Sequence, residues 1–240
     1  MDFRDRHIVV SGGAGALGTA VVEALAGAGA ICHVPCLHEA EKRSCRLQES
    51  KNIRLTIAGN LAEEAAVTRL YQGIAPLWGS IHIAGGFAMA PMRDTTAELL
   101  RQQLDMNFVS CALCCRAAVN AMSSDMSANT AAGSGGRIVN VTARPGLEWR
   151  SGAGMVAYTA SKAAVAALTA ALAEEVAKDG ILVNAVAPSI MDTAANRAAM
   201  PKADYALWPK VEEVAATIVF LVSPENRVTR GAIVSVYGKS

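Results

Sequence analysis

The sequence predicts an α/β fold with a doubly wound parallel β-sheet, in three α/β/α layers. Short apolar runs alternate with helical stretches along the chain, and a glycine-rich segment follows the first run. The runs are nearly continuous, as is typical of parallel strands that are buried on both faces. The chain has 240 residues without an internal repeat or a dividing linker, so we expect a single domain over residues 1–240.

Seven apolar runs are the predicted strands. Many of their residues are Val and Ile, which favour strands, and turn residues follow several of the runs. Pro35 is expected to close the second run, because proline donates no hydrogen bond to a sheet. The predicted strands cover residues 7–11, 31–34, 53–57, 80–83, 137–142, 181–186 and 232–236.

Helices are predicted between these strands. One intervening segment, residues 123–136, is rich in Ser, Ala, Asn and Gly without periodicity, which indicates a surface loop. The predicted helices cover the stretch up to about residue 28, then residues 39–49, 63–73, 98–122, 155–178 and 211–222.

The composition argues against several classes of protein. Hydrophobic residues make up 52% and charged residues 18% of the chain, which excludes a disordered chain and suggests apolar surface between subunits. The net charge of +1 and the lack of a basic block give no indication of nucleic-acid or membrane binding. Residues 1–10 do not resemble a signal peptide, and Glu174 and Glu175 interrupt the apolar stretch at 163–177. We expect a cytoplasmic protein.

The six cysteines are too sparse for a disulfide scaffold in a chain of this length. Cys111, Cys114 and Cys115 lie close together, which would suit a metal site, but no second ligand pair lies at zinc spacing. We interpret them as small apolar residues on a buried helix and expect no metal.

A glycine-rich turn at residues 11–18 (Ser-Gly-Gly-Ala-Gly-Ala-Leu-Gly) lies between the first predicted strand and a helix. Glycines let the backbone approach a pyrophosphate, and a helix N-terminus offers free N–H groups. A glycine-rich helix start without a ligand is the alternative. The position between strand and helix favours a Rossmann-like dinucleotide site.

Tyr158 and Lys162 are four residues apart on a predicted helix, so their side chains share one face. The pKa of a free tyrosine is about 10, and an ammonium about 4 Å away would lower it by as much as about three units. Such a pair is most often an ordinary helix contact. Combined with the glycine-rich turn, it favours Tyr158 as a general acid or base.

The turn and the Tyr-x-x-x-Lys pair resemble the short-chain dehydrogenase/reductase family, and the likeness extends over essentially the whole chain. Ser11 replaces the Thr of the family's Thr-Gly-x-x-x-Gly-x-Gly turn, and Ala16 replaces its middle Gly. Ala16 should be tolerated where the backbone is helical. The resemblance implies that Tyr158 donates a proton to a carbonyl oxygen while the nicotinamide supplies hydride, and that Lys162 binds the nicotinamide ribose.

Other residues match the family in order and spacing. Asn107 is similar to the helix Asn that links the Lys to a proton-relay water, although a plain helix Asn is the alternative. His82 and Ile83 occupy the Asn places of the family's Asn-Asn-Ala-Gly motif, and for His82 a structural role at the strand end is favoured over a role as ligand or acid. The dinucleotide contacts that the resemblance implies are Gly12, Ala16, Leu17, Gly18, Cys36, Asn60, Leu61, Ala84, Gly85, Tyr158, Lys162 and Thr193.

Ala143 stands in the place of the family's catalytic Ser. The adjacent Thr142 points to the opposite face of a regular strand, so it would substitute only if the strand end bends. This replacement, together with residues 192–208, resembles the quinonoid dihydropteridine reductase branch, which uses Tyr and Lys without the Ser. Residues 191–209 are the expected substrate lid.

Cys36 occupies the position where an Asp usually selects NAD. The missing carboxylate removes the repulsion of a 2′-phosphate, and His38 and Arg43 are near enough in sequence to approach one. The sequence therefore slightly favours NADP over NAD as the cofactor.

Two functions remain open. The first is an NAD(P)-dependent oxidoreductase that acts on a carbonyl, alcohol or conjugated ring of a small-molecule substrate. The second is a catalytically impaired dinucleotide-binding or scaffold protein, which Ala143 suggests. Retention of Asn107, Tyr158 and Lys162 favours the enzyme. The family resemblance also implies that the helices at 98–122 and 155–178 pair between subunits, in a homotetramer or homodimer.

Overall fold

The computed structural model describes residues 1–126 and 135–240, and within them seven strands form one parallel sheet. The strands run in the order β3-β2-β1-β4-β5-β6-β7, so the direction of winding reverses between β1 and β4. In sheets of this kind ligands bind at that switch point, beyond the carboxyl ends of the strands. The strands are β1 (His7–Ser11), β2 (Ile31–Cys36), β3 (Ile53–Ile57), β4 (Leu77–His82), β5 (Arg137–Val141), β6 (Leu182–Pro188) and β7 (Ile233–Val236).

Helices cover both faces of the sheet. On one face α1 and α9 pack against each other, and on the other α3, α5 and α7 lie over the sheet. The helices are α1 (Ala16–Gly27), α2 (Glu39–Ser44), α3 (Glu64–Tyr71), α4 (Ala97–Leu104), α5 (Ser110–Met126), α6 (Arg144–Leu147), α7 (Val156–Glu175), α8 (Ala194–Ala199) and α9 (Val211–Val222). The predicted fold, a doubly wound parallel sheet in three layers, is confirmed.

Two apolar cores lie on the two faces of the sheet because strand side chains alternate between them. In β1, Ile8 and Val10 pack toward α1 and α9, while Val9 packs into the core on the opposite face. All three side chains are fully buried. This burial on both faces explains why the strands are nearly continuous apolar runs.

Several predicted elements differ from the structure. The helix predicted at 39–49 ends at Ser44, and the strand predicted at 80–83 begins earlier and spans Leu77–His82. The helix predicted at 98–122 is divided by a π-helical turn at Asp105–Val109 that separates α4 from α5. Strand β2 does not end before Pro35 but continues to Cys36, with Pro35 paired to Thr56 of β3. Of the loop predicted at 123–136, the first part is helical because α5 extends to Met126, and residues 127–134 lie outside the described residues.

Helix α7 is long and apolar enough to cross a membrane by length and composition alone, the one such helix in the described part of the chain. Its inner face, which includes Val165, Ala166 and Thr169, is buried against the protein. Core helices of soluble proteins pass the same test.

Candidate active site

A cleft of about 900 Å³ lies at the carboxyl ends of β1, β2 and β4, at the switch point of the sheet. Nine of the predicted dinucleotide contacts line it: Gly12, Ala16, Leu17, Gly18, Cys36, Asn60, Leu61, Ala84 and Gly85. Tyr158, Lys162 and Thr193 do not line this cleft. The structure therefore brings together the residues that are predicted to contact the adenosine and the pyrophosphate. It places Tyr158 and Lys162, which are predicted to transfer the proton, beyond this cleft.

The glycine-rich turn is shaped by contacts that leave no room for side chains. Gly12 has a φ of +71°, and a Cβ built on it would lie 2.6 Å from the amide nitrogen of Ala84. A Cβ on Gly18 would overlap the carbonyl oxygen of Gly12. These two glycines let α1 start directly beside the ends of β1 and β4. Helix α1 begins at Ala16, so this alanine has the helical backbone that its tolerance requires.

Glu41 lies at the end of the cleft formed by β2 and was not predicted as a site residue. Its Oε2 accepts a hydrogen bond of 2.5 Å from the backbone N–H of Leu37. His38 also lines the cleft, and its Nδ1 accepts a hydrogen bond from the Glu41 N–H at the start of α2. Arg43 is not among the lining residues. The available signal was the three-residue spacing from His38 to Glu41, which is that of a capping box.

Tyr158 and Lys162 lie one turn apart on α7, and Nζ of Lys162 is 6.0 Å from the centroid of the tyrosine ring. The ring of Phe87 contacts Tyr158 edge to face, with centroids 5.0 Å apart. Lys162 is buried, and its Nζ donates a hydrogen bond of 2.9 Å to the carbonyl of Val141. A Cβ on Gly85 would lie 3.5 Å from Nζ, so Gly85 connects the cleft to this pair.

The pKa of Tyr158 corrects one expectation. We expected Lys162 to lower it, but burial raises the pKa of Tyr158 to about 12. Burial also lowers the pKa of Lys162 to about 8, because the ammonium loses its water. Desolvation is the cause of the shift at Tyr158, and the lowering expected from Lys162 is not found.

Asn107 lies in the π-helical turn and fastens the loop after β4. Its Oδ1 accepts a hydrogen bond from the Gly86 N–H, and its Nδ2 donates to the Gly86 carbonyl, both at 3.0 Å. Nδ2 also donates to the backbone carbonyl of Gln103 at 3.1 Å. A Cβ on Gly85 would overlap Oδ1 of Asn107, which places this amide close to the cleft. These contacts are structural, and the expected water relay stays a prediction.

Ala143, which stands in the place of the family's catalytic Ser, lies between β5 and α6. Ala143 is extended and nearly buried, and it precedes α6. The hydroxyl of Thr142 donates a hydrogen bond of 2.6 Å to the carbonyl of Lys162. Because that bond uses its only proton, Thr142 does not replace the serine as a donor.

Thr193 and the expected lid lie beside the end of β6. Oγ1 of Thr193 accepts a hydrogen bond of 3.2 Å from the Asn196 N–H, so this side chain caps α8. Asp192 and Arg197 form an ion pair with N–O distances of 2.5 and 2.8 Å. Trp208 at the far end is buried. Binding of a carboxamide by Thr193 and a lid function for 191–209 stay predictions.

The family model for short chain dehydrogenases matches residues 6–204. The chain is 32% identical to the cis-4-hydroxycyclohexanecarboxylate dehydrogenase of Sinomonas cyclohexanicum, covering 98% of this chain and 96% of that protein. It is 29% identical to the 2,3-dihydroxy-2,3-dihydro-p-cumate dehydrogenase of Pseudomonas putida, over 97% of this chain and 93% of that protein. A solved structure of ElxO with NADP bound has the same fold, with a TM-score of 0.84, 20% identity and 97% of both chains covered. This chain belongs to the short-chain dehydrogenase family, a family of NAD(P)-binding oxidoreductases.

Proposed function

We propose that the protein is an NAD(P)-dependent oxidoreductase that interconverts an alcohol and a carbonyl on a small, ring-bearing substrate, with Tyr158 as the proton donor and acceptor. The observation that supports this most is the position of Gly85. It lines the dinucleotide cleft on one side and lies beside Lys162, and through it Tyr158, on the other. Cofactor and proton-transfer group would therefore meet at one point.

The cleft fits a dinucleotide. The turn at Gly12 and Gly18 has no space for a Cβ, so the chain offers bare backbone there, as a pyrophosphate site requires. The nicotinamide, when bound, exchanges hydride with the substrate carbon. The N-terminus of α1 would hold the diphosphate. Asn107 keeps the loop at Gly86 in place, so that Gly85 remains open toward the cofactor.

Tyr158 is protonated at neutral pH because burial raises the pKa of its hydroxyl to about 12, which suits proton donation to a developing alkoxide. Lys162 uses one of its N–H donors on Val141, and an ammonium has three. We assign the others to the ribose of the nicotinamide, as the family resemblance implies. Lys162 would then position the cofactor against Tyr158.

The substrate class follows from the apolar surface near Tyr158. Phe87 is 59% exposed although it touches the catalytic ring, and Met89 is 65% exposed. The backbone of Ala90 forms a bridge with Met155, which places this loop over the start of α7. Exposed apolar side chains beside a reactive group favour an apolar ring in the substrate. Two of the relatives carry names of ring-containing substrates, whereas a galactitol 2-dehydrogenase of Rhizobium johnstonii, 32% identical over 95% of this chain, is named for an open-chain polyol, so the ring rests on the apolar surface at Phe87 and Met89.

The narrower likeness to quinonoid dihydropteridine reductases is our second candidate. Ala143 supports it, because a conjugated ring spreads the developing charge and depends less on one fixed hydroxyl donor. The two dehydrogenase relatives act on other substrates by name, so this branch is a proposal that a quinonoid pterin assay would test. The impaired scaffold protein remains the third, and absence of turnover with every substrate class would favour it.

Replacing Tyr158 with Phe tests the main proposal. Tyr158→Phe keeps the ring against Phe87 but removes the transferable proton, so we expect kcat with cyclic alcohols or ketones to fall by about 10²-fold or more. Dinucleotide affinity, measured by fluorescence titration, should change little because Tyr158 does not line the cleft. Turnover within about threefold of the parent would exclude Tyr158 as the acid.

The choice between NAD and NADP depends on Glu41 and His38. The sequence leaned slightly toward NADP, but the Glu41 carboxylate lines the cleft and would repel a 2′-phosphate. We therefore propose NAD as the preferred cofactor. Glu41→Gln should strengthen NADPH binding relative to NADH by about tenfold, since one charge repulsion is removed. An unchanged ratio of the two dissociation constants would place the ribose away from Glu41, and Glu39→Gln on the same helix is the matched control.

A further inference from the structure

A compact group of metal-ligand side chains lies behind the cleft, between β4, β5 and α5. His82, Cys111 and Cys115 are buried, and their ligand atoms all lie within 4.8 Å of one another. Sγ of Cys115 is 3.4 Å and Sγ of Cys111 is 4.0 Å from Nδ1 of His82. The sequence analysis considered a metal site at the cysteines but did not join His82 to them, because the histidine comes from a strand about thirty residues earlier.

Asn140 of β5 completes the group with an oxygen. Its Oδ1 lies 2.8 Å from Nδ1 of His82, 3.3 Å from Sγ of Cys111 and 3.5 Å from Sγ of Cys115. The amide orientation is fixed on its other side, where Nδ2 donates to Thr169 Oγ1, whose own proton goes to Val165. Three donor groups therefore converge on one carbonyl oxygen that has two lone pairs. A cation at the centre would use all four atoms as ligands instead.

The surroundings of His82 also fit a metal ligand. Its Nε2 is 2.8 Å from Oγ of Ser80, which is 2.7 Å from the hydroxyl of Tyr71. A histidine that binds a metal through Nδ1 donates its other ring N–H to such an acceptor, which fixes the tautomer and the ring orientation.

We propose that His82, Cys111, Cys115 and Asn140 form a buried zinc site. Tetrahedral zinc with thiolate, imidazole and oxygen ligands requires ligand atoms about 3.4–3.8 Å apart, and the observed separations need only small adjustments to reach this. Two thiolates neutralise the charge of Zn²⁺, which suits a site without solvent. None of the four residues lines the dinucleotide cleft. The ion would hold α5 to β4 and β5 directly behind the strand ends that carry Ala84 and Ala143.

The test is the metal content of the full chain, expressed with zinc in the medium, purified under a reducing agent and dialysed against a weak chelator. We expect one zinc per chain by mass spectrometry of the metal. Expression with Co²⁺ should give the thiolate charge-transfer and tetrahedral visible bands of a Cys-ligated ion. Zinc should raise Tm by about 5 °C or more relative to protein made without it.

Cys111→Ala, Cys115→Ala and His82→Asn should each lose the metal and the cobalt bands. Cys114→Ala is the matched control, since Cys114 is equally buried on the same helix but is not in the cluster, and it should retain both. If the cysteine variants fail to fold, the cobalt spectra of the unaltered chain and of the His82→Asn variant decide whether these residues bind a metal. Parent protein without zinc after dialysis, or equal loss of zinc in Cys114→Ala and Cys111→Ala, would overturn the proposal.

Discussion

Lys162 is buried. Among the described residues around it, no carboxylate forms an ion pair with its ammonium group. Its Nζ donates to the backbone carbonyl of Val141, and burial lowers its pKa to about 8 from 10.5. A shift of this size corresponds to about 3 kcal/mol of destabilisation of the charged form. Such strained electrostatics are typical of functional positions, where binding and chemistry depend on a desolvated group.

Lys162→Met should therefore stabilise the protein in a pH-dependent way. The pKa of Lys162 is lower in the folded state than in the unfolded state, so the penalty is complete below about pH 8 and absent above about pH 10.5. We expect the variant to be more stable than the parent by up to about 3 kcal/mol at pH 7, and by roughly half of that or less at pH 9.5. Urea unfolding at the two pH values measures the difference.

The control for this experiment is Lys178→Met, at an exposed lysine just after α7. Its stability difference from the parent should be small in both experiments, because the side chain is exposed and its removal leaves no cavity. A pH-independent gain in Lys162→Met would show that the gain comes from packing alone. The buried ammonium would then not carry the penalty assigned to it.

The sequence predicted which residues surround the cofactor cleft better than it predicted their energetics. Gly12, Ala84 and Asn60 line the cleft as expected because they follow strand ends, and strand ends are fixed by the apolar pattern. The direction of the pKa shift at Tyr158 was wrong because it depends on burial, which only the folded chain defines. Glu41 was missed although the start of α2 at residue 39 was predicted, because its approach to the cleft depends on how α2 packs beside the end of β2.

At the scale of elements, the turn between β1 and α1 sets the position of the cleft. Gly12 is in the left-handed region and contacts Ala84, while Gly15, which lines the same cleft, has an extended backbone with a φ of −78° and a ψ of 174°. A Cβ on Gly15 would be 3.4 Å from the Gly12 carbonyl, which a small shift accommodates. The two glycines therefore differ in how strictly the fold requires them.

Gly12→Ala should lower the free energy of unfolding by at least about 1–2 kcal/mol, because a positive φ and a backbone clash both oppose the new Cβ. Gly15→Ala should change it by less than about 0.5 kcal/mol. Denaturant unfolding without cofactor measures both, so contact with a dinucleotide does not enter. Equal losses in the two variants would contradict the distinction drawn from the backbone angles.

The sequence did not predict that the long helix at 98–122 is divided into α4 and α5. Residues 98–122 contain neither Gly nor Pro, so no helix breaker marks the π-helical turn at Asp105–Val109. Its extra residue turns Asn107 inward, where the amide holds Gly86. π-Helical turns often accompany functional sites, and here the cause is a tertiary contact rather than propensity.

At the scale of the whole molecule, the layers and strand positions could be predicted because burial on both faces leaves a clear pattern in the sequence. The role of the outer helix faces could not be predicted in the same way. On α7, Ala160, Ala167 and Ala171 are exposed, and Ala164 is half-buried. Their spacing of three and four residues puts them on one face, which is small, apolar and suited to close approach of another helix.

We expect this alanine face to pair with its counterpart in a second copy, in the homodimer or homotetramer proposed from the family resemblance. Ala167→Arg should weaken assembly, since a long charged side chain separates the helices and two like charges meet across a two-fold interface. Light scattering coupled to size exclusion should show a smaller molar mass for this variant. Circular dichroism should be unchanged, because residue 167 is outside the core.

Ala65→Arg on α3 is the matched control, an exposed alanine on a helix away from this face. The same substitution there adds the same charge without touching the proposed interface, so the molar mass should stay that of the parent. If both variants keep the parent's oligomeric mass, the subunits meet elsewhere. If the parent itself is a monomer at micromolar concentration, the alanine face is solvent-exposed in solution and does not pair with a second copy.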